Sequence, residues 1–269
     1  LSILTHLFAL LSKVVAAPTP ILLLLIDWRE GKLSKKSIIG LIPHLLLSII
    51  FGIVGAFGKQ ETSVLSTLQE KILMGGKSAV FYLQKLLIPT DLSVLYPYYG
   101  KPIILSSMDF WFPLIVLGIL LVLIIRSLKH TKDITLFAAI FVLFVTPSFI
   151  NFAKGGFIYF ASDRYAYIPS IGFFLLFAWM FQRWLEQASS ARENKNRNDY
   201  ILYISMSVLL LFAWMSAKQT ETWQNSESLF RTSIARYEDA LPAYINLSIV
   251  LREAGRLDEA LTMLQKAAL

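Results

Sequence analysis

The residues most suited to chemistry lie in one short stretch, SDRYAYIPS at 162–170, where a long apolar run begins. Asp163 and Arg164 carry opposite charges, and Tyr165 and Tyr167 follow them. An ionisable pair at the edge of a bilayer costs desolvation free energy, so one interpretation is a binding site for a charged headgroup. The other is an interfacial anchor, in which the pair and the aromatic rings only fix the helix at the membrane surface. Position alone leaves both interpretations open.

Lys13 is the second candidate for binding an anion. It lies inside the apolar stretch 1–26, and Pro18 and Pro20 after it remove backbone donors, which predicts two short helices meeting near Lys13. We expect Lys13 and Arg164 to lie on the same side of the membrane and to converge on one outward-facing cavity, where both cations bind one phosphate. Snorkelling of the lysine into the headgroups is the alternative.

Signatures of metal and nucleotide chemistry are absent from the sequence. His6, His44 and His130 are dispersed, the chain has no cysteine, and no HExxH, P-loop or dinucleotide glycine pattern occurs. We therefore expect no metal site and no bound cofactor. The lack of cysteine also excludes disulfides and cysteine nucleophiles.

The composition makes lipid the main solvent of the elements that position these residues. Hydrophobic residues make up 56% of the 269 residues and aromatic residues 13%, and the mean hydropathy is +0.60. Five apolar runs are each about long enough for a helix to cross roughly 30 Å of hydrocarbon. They lie at 37–57, 109–126, 133–150, 166–185 and 200–217.

The basic residues of the short loops predict the orientation of these spans. They form three clusters with a pair of crossings between successive clusters, which places all three on the cytoplasmic side. The clusters are Arg29, Lys32, Lys35 and Lys36; Arg126, Lys129 and Lys132; and Arg183, Arg192, Lys195 and Arg197. Residues 58–108, 151–165 and everything after Ala217 then face outward.

The same distribution of charge excludes nucleic acid as a partner. The formal net charge is +7, but residues 218–269 hold six Lys or Arg against seven Asp or Glu. The basic excess therefore belongs to the membrane surface.

The first outer segment contains FYLQKLLIPTDLSVLYPYY at 81–99. Its aromatic residues and Lys85 predict a helix that lies in the headgroup layer and ends at Pro89. A loop packed on the bundle is the alternative.

After the last apolar run, PAYINLSIVLREAGRLDEALTMLQKAAL at 242–269 has the spacing of a tetratricopeptide (TPR) helical pair that turns at Gly255. The side chains expected between the two helices are Tyr244, Leu247 and Leu264, and those expected in solvent are Arg252 and Arg256. The run 226–237 is interpreted as the second helix of an earlier repeat. TPR solenoids usually need about three repeats, so further repeats are expected beyond this chain.

Four segments together resemble the transmembrane-and-TPR O-mannosyltransferase family and its prokaryotic relatives. In chain order they are LFALLSKVVAAPTPILLLLIDW at 7–28, FYLQKLLIPTDLS at 81–93, ASDRYAYIPSIGF at 161–173 and WQNSESLFRTSI at 223–234. The resemblance covers essentially the whole chain. It implies an all-α fold, with a polytopic GT-C-like membrane helix bundle over residues 1–217 and the start of a TPR solenoid over residues 218–269.

The resemblance also implies a glycosyltransferase that moves mannose or another hexose from a polyprenyl-phosphate carrier to a protein or other hydroxyl acceptor. The reaction would take place on the outer side of a bacterial inner membrane or the luminal side of the ER membrane. Its partners would be membrane lipid, the lipid-linked sugar and an acceptor protein held in the TPR groove. Donor binding would fall to Lys13, Arg164, Tyr165 and Tyr167.

The catalytic acidic residues of that family lie in an outer loop upstream of Leu1, so this chain alone is expected to be inactive. Asp163, where relatives often carry Glu, is a minor alternative as the base because the adjacent Arg164 is expected to keep it ionised and occupied. A membrane-anchored TPR scaffold without enzymatic activity is the competing class, and a transporter is a third.

Overall fold

The computed structural model describes residues 1–57, 67–98, 102–149, 153–154, 157–190 and 195–268. Within these ranges the chain forms eleven α-helices and three very short strands, so the predicted all-α class is confirmed. The helices are α1 (Ser2–Ser12), α2 (Thr19–Arg29), α3 (Lys35–Phe57), α4 (Leu68–Leu87), α5 (Met108–Ser127), α6 (Asp133–Phe149), α7 (Pro169–Ser190), α8 (Lys195–Thr222), α9 (Ser226–Arg236), α10 (Leu241–Glu253) and α11 (Leu257–Ala267). The strands are β1 (Tyr96–Pro97), β2 (Ala153–Lys154) and β3 (Phe157–Ala161).

Among the described residues, three helices are long and apolar enough to cross a membrane, judged by length and composition. They are α3, α5 and α8, over Lys35–Gly55, Met108–Ser127 and Tyr200–Thr222. Only 6–11% of their most apolar windows is buried inside the protein. Apolar side chains that point outward in such numbers need a hydrocarbon solvent, so the chain is a membrane helix bundle.

The other two predicted spans take a different form. Helix α6 is apolar but shorter, with its apolar part over Asp133–Pro147, and position 150 lies outside the described residues. Helix α7 begins at Pro169 rather than at 166, because residues 163–165 form a separate 3₁₀ turn. Proline suits the first position of a helix, where its missing N–H would have no partner. The topology with five crossings stays a prediction.

The N-terminal stretch breaks as predicted. Helix α1 ends at Ser12, the backbone of Lys13 is extended, and a 3₁₀ turn at Val14–Ala16 leads to α2. Helix α1 packs on α3, and α2 packs on α3 and α6. The histidines that are dispersed in the sequence are not all dispersed in space, since the rings of His6 and His44 lie 5.6 Å apart and are buried between α1 and α3.

Helices α6 and α7 cross closely at Gly172. A Cβ atom at Gly172 would overlap the carbonyl oxygen of Phe137 and come within 2.8 Å of the backbone nitrogen of Phe141. Only glycine therefore allows this approach. The adjoining core cluster contains Leu136, Ile140 and Phe144, with Leu22, Leu25, Ile26 and Ile168 against it.

The first outer segment is a helix packed on the bundle. A capping box between Thr67 and Glu70 starts α4, and the helix ends at Leu87, just before Pro89, as predicted. It begins well upstream of 81, and its buried face packs against α5, α6 and β3. Its position in the headgroup layer stays a prediction, and residues 58–66 and 99–101 lie outside the described part of the chain.

A small antiparallel sheet, ordered β1-β3-β2, joins the two predicted outer segments. Tyr96 pairs with Ala161 and Pro97 with Tyr159, with a register shift between the two pairs. This sheet was not predicted from the sequence. It brings the end of the first outer segment next to the residues that precede Asp163.

The tail forms three packed helices, α9, α10 and α11. Leu247, Leu251 and Ala260 form the core, and Phe230, Ile234 and Met263 pack against it. Gly255 turns the chain with φ +76°. Tyr244 and Leu247 are buried and Arg252 is exposed, as predicted.

The predicted burial of Leu264 is wrong, since its exposed fraction is 47%. Met263, three residues after Ala260, takes the inward position on α11 instead. Arg256 was expected in solvent, but it lies in ion pairs with Glu227 and Glu259 at 2.8 and 2.6 Å. Assignment of these helices to a TPR stays a prediction.

Candidate functional site

A cavity of about 690 Å³ lies where the end of α4, the start of α7, the end of α8 and the end of α9 meet. Its lining combines large apolar side chains with charged ones. The apolar side includes Leu86, Phe174, Phe212, Trp214 and Met215, and the charged side chains are Lys85, Asp91, Asp163, Lys218 and Arg236. A cavity with this lining suits a ligand that is partly hydrocarbon and partly anionic.

Asp163 enters the cavity from the 3₁₀ turn that follows β3. The turn is fixed by buried hydrogen bonds at Ser162, whose hydroxyl donates to the carbonyl of Val94 at 2.6 Å and whose N–H donates to the hydroxyl of Tyr82 at 3.0 Å. The N–H of Asp163 donates to the carbonyl of Ser93 at 3.3 Å. The segment before β1 therefore determines where the carboxyl group lies.

The partner of the Asp163 carboxylate is Tyr96, whose hydroxyl donates to Oδ1 at 2.6 Å. Burial raises the pKa of Asp163 to about 6, although the Tyr96 hydrogen bond and the charges of Lys85 and Arg236 oppose that rise. Burial, together with the carboxylate, also raises the pKa of Tyr96. Oδ2 of Asp163 is buried and has no hydrogen-bond partner among the described residues. One carboxylate oxygen is thus held by Tyr96, and the other is buried without a hydrogen bond from the described part of the chain.

Arg164 does not pair with Asp163, so the expectation that it keeps this carboxylate occupied is wrong. Its guanidinium lies 5.0 Å from the ring centre of Tyr165 and donates to the Tyr165 hydroxyl at 3.3 Å. Adjacent residues of a 3₁₀ turn project in different directions, and here Asp163 points inward while Arg164 is exposed. Tyr167 lines the cavity and is 81% exposed, whereas Arg164 and Tyr165 do not line it.

Lys13 lies at the break between α1 and the following 3₁₀ turn, and its side chain is exposed. Its neighbour Val14 lies against Gly55 near the end of α3. Lys13 makes no ion pair within the described ranges, and it does not line the cavity. The predicted convergence of Lys13 and Arg164 is therefore not found at this cavity, and their roles in binding stay predictions.

Three other cations supply the positive charge of the cavity. Lys85 donates to the carbonyl of Thr90 at 2.5 Å and lies 5.4 Å from the ring centre of Phe81. Lys218 lies 5.0 Å from the ring centre of Trp214. Arg236 donates through Nη1 to the carbonyl of Leu92 and through Nη2 to Gln219 at 3.5 Å. Among the residues that the structure describes, none of the three lies within 4.0 Å of a carboxylate oxygen.

The sequence contained only a weak signal for these cations. Lys85 belongs to the segment predicted to lie in the headgroup layer, but Lys218 and Arg236 are far from it along the chain. No short motif joins the three residues. Packing of α9 brings Arg236 to the cavity.

Helix α9 docks on the segment that precedes β1. The Tyr237 hydroxyl donates to the carbonyl of Asp91 at 3.1 Å, and the Tyr237 ring lies 5.3 Å from that of Tyr96 in an edge-to-face arrangement. The hydroxyls of Ser93 and Ser233 are 3.4 Å apart. The tail is therefore attached directly behind the Asp163 turn.

Comparison with curated proteins gives relatives named as O-mannosyl-transferases. The chain is 27% identical over 140 residues to Protein O-mannosyl-transferase TMTC1 of Homo sapiens and 27% identical over 137 residues to that of Mus musculus. It is 33% identical over 107 residues to Protein O-mannosyl-transferase Tmtc2 of Drosophila melanogaster. No protein-family model matches the chain, and no solved structure matches it.

These matches cover 39–51% of this chain but only 10–14% of the length of the relatives. They support the resemblance drawn from the sequence over about half of the chain.

Proposed function

We propose that the chain is part of an integral-membrane glycosyltransferase that transfers mannose, or another hexose, from a polyprenyl-phosphate carrier to a hydroxyl group of a protein or other acceptor. The observation that carries the proposal is the cavity, whose apolar lining and three cations lie together at the ends of the membrane helices. The names of the relatives support the choice of sugar and of reaction.

The two parts of the donor correspond to the two parts of the lining. The isoprenoid chain packs against apolar and aromatic side chains such as Phe174, Phe212 and Trp214. The phosphate binds to the cations, which also stabilise the negative charge that develops on it as the sugar leaves. Tyr167 presents a ring and a hydroxyl at the same cavity. Arg164, Tyr165 and Lys13 are proposed to contact the headgroup outside the cavity.

The general base follows from the resemblance, which assigns it to an acidic residue upstream of Leu1. Asp163 is the alternative base within this chain. Its raised pKa of about 6 makes it a stronger base than an ordinary aspartate, and its buried Oδ2 is not hydrogen-bonded to any described residue.

The membrane arrangement is part of the proposal. We place the spans as a multi-pass, GT-C-like bundle with the basic loops in the cytoplasm and the cavity on the outer or luminal side. The tail then lies on the outer side as the start of a TPR solenoid. An acceptor protein bound in its groove is held near the cavity, which raises its effective concentration there.

The test uses the full-length protein encoded by the open reading frame that contains this chain, purified and reconstituted in nanodiscs. It measures mannose transfer from polyprenyl-phosphate mannose to acceptor peptides. We expect transfer that falls by about ten- to a thousand-fold in Lys85→Gln, the range typical for loss of one charge-stabilising contact. Lys266→Gln, near the end of α11 and distant from the cavity lining, is the matched control. Transfer that Lys85→Gln leaves intact contradicts the proposed site.

A membrane-anchored scaffold is the second candidate, because Leu257, Leu261 and Leu264 form an exposed apolar face on α11. Exposed faces of this kind bind partner proteins. The scaffold is favoured if the protein folds normally and binds a partner but transfers no sugar from any polyprenyl-phosphate donor.

A further inference from the structure

The tail contributes to the lining of the cavity through Arg236, the last residue of α9. The membrane part contributes Lys85 from α4 and Asp163 from the turn before α7, and Lys218, near the end of α8, lies at the predicted boundary between the two parts. The sequence places these two parts of the chain in different domains, yet both line one cavity.

The guanidinium of Arg236 is held by neutral oxygens and not by a carboxylate. It is half-buried, and its two hydrogen bonds go to the carbonyl of Leu92 and the side-chain oxygen of Gln219. Its Nε donates to no residue in the described part of the chain. Both bonds fix the orientation of the guanidinium without neutralising its charge.

The cavity has an excess of positive charge at this end. Three cations line it against the two carboxylates of Asp91 and Asp163. Lys85 and Arg236 both line the cavity, and both are close enough to Asp163 for their charges to act on its carboxyl group. Cations grouped beside a largely apolar lining are suited to the phosphate of a lipid.

We infer that Arg236 of the tail helix α9 binds the phosphate of a lipid monophosphate in this cavity, together with Lys85 and Lys218. This inference rests on the proposed function, and it adds that the tail is part of the donor site as well as a platform for the acceptor. A planar guanidinium binds a phosphate through two parallel hydrogen bonds, which distinguishes Arg236 from the two lysines.

The experiment measures binding of polyprenyl monophosphate to the chain in nanodiscs, with four variants. Arg236→Gln removes the charge, and Arg236→Lys keeps it but removes the planar fork. Tyr237→Phe removes the hydrogen bond that docks α9 on Asp91 and leaves the charge. Arg252→Gln removes an exposed charge of α10 that lies outside the cavity.

We expect Arg236→Gln to weaken binding by about ten- to a hundred-fold, the loss typical of a charge-assisted hydrogen bond. Arg236→Lys recovers part of the affinity, and Tyr237→Phe and Arg252→Gln stay within about two-fold of the parent, since neither loses a phosphate contact. The affinity of the parent also falls with added salt more steeply than that of Arg236→Gln.

Other results overturn the inference in distinguishable ways. If the parent binds and Arg236→Gln binds equally well, the proposed function stands and the role of Arg236 is refuted. If Tyr237→Phe weakens binding as much as Arg236→Gln, Arg236 only docks the helix. Equal competition by inorganic phosphate shows a general anion site and refutes a site for a lipid phosphate. No binding by the parent refutes both the proposed function and the inference.

Discussion

The hydroxyl of Tyr96 lies 2.6 Å from Oδ1 of Asp163, although 67 positions separate the two residues in the sequence. Tyr96 is 1% exposed and is packed edge-to-face against the rings of Phe81 and Tyr237. Its hydroxyl is therefore held in place from several sides. The bond fixes the carboxylate at the cavity and stabilises its charged form.

Tyr96→Phe is expected to raise the pKa of Asp163 above its present value of about 6, because a hydrogen bond that stabilises the carboxylate is lost. The measurement is the pH titration of the Asp163 carboxyl by infrared difference spectroscopy. Loss of the donor also leaves a buried oxygen unpaired, at a cost of about 1–3 kcal/mol in the free energy of unfolding near neutral pH. Tyr98→Phe is the control, because the hydroxyl of Tyr98 lies near Asp109 and not near Asp163. An unchanged pKa would contradict the hydrogen bond.

Asp163→Asn is expected to stabilise the protein at pH 7 but not at pH 4. The folded protein raises the pKa of Asp163 from 3.8 to about 6, so it binds more protons than the unfolded chain between these values. Stability is therefore lost as the pH rises through that window, and asparagine removes the dependence, with a gain of roughly 1–3 kcal/mol at pH 7. Thermal unfolding in detergent across pH 4–7 checks this, and a parallel pH dependence in parent and variant would show that Asp163 does not cause it.

Gly172→Ala is expected to destabilise the bundle strongly. The new Cβ would overlap backbone atoms of α6, which cannot rotate away as a side chain can. The loss in free energy of unfolding should reach the upper end of the roughly 1–3 kcal/mol typical of overpacking, or exceed it. Gly40→Ala is the matched control, because a Cβ there meets no atom within 4 Å. Similar unfolding temperatures for the two variants would rule out the close crossing.

Leu251→Ala and Leu261→Ala are expected to differ sharply. Leu251 is fully buried between α9, α10 and α11, so its truncation should cost about 2–5 kcal/mol. Leu261 is 56% exposed, and its truncation should change the free energy of unfolding by less than about 0.5 kcal/mol. Limited proteolysis of the tail in denaturant measures both. A large effect at Leu261 would mean that its face of α11 is covered in solution.

Arg252→Cys tests the side of the membrane on which the tail lies. The chain has no cysteine, so the variant carries a single thiol. Arg252 is exposed, and it is preferable to Arg256, whose ion pairs with Glu227 and Glu259 hold α9 and α11 together. We expect an impermeant thiol reagent to label intact cells, or sealed vesicles that display the outer face. Labelling that requires permeabilisation would reverse the proposed topology.

Local signals in the sequence predicted the local structure well. Pro18 and Pro20 after Lys13 marked the break between α1 and α2, and Pro89 marked the end of α4, because proline constrains the backbone at its own position. The predicted burial of Leu264 was wrong. The repeat spacing predicts which residues share a face of α11, but it does not show which neighbouring helix covers that face. Met263 points to the helices that are present.

The site was only partly predictable for a physical reason. Asp163 and Tyr167, which line the cavity, were predicted as candidates because a charge next to tyrosines at the start of an apolar run is conspicuous. Tyr96 was not found, since β1 has two residues and so short a strand shows no alternation of polar and apolar side chains. Its pairing with Ala161 depends on contacts between distant parts of the chain.

Synthesis proceeds from the N-terminus, so α4, β1 and β3 emerge and insert before α9 exists. The bonds from Arg236 and Tyr237 to Leu92 and Asp91 span 144 and 146 positions, and contacts of such separation form late in assembly. A nascent chain released before Arg236 thus has membrane helices in place but an incomplete cavity. Docking of α9 is therefore the step that completes the lining of the cavity.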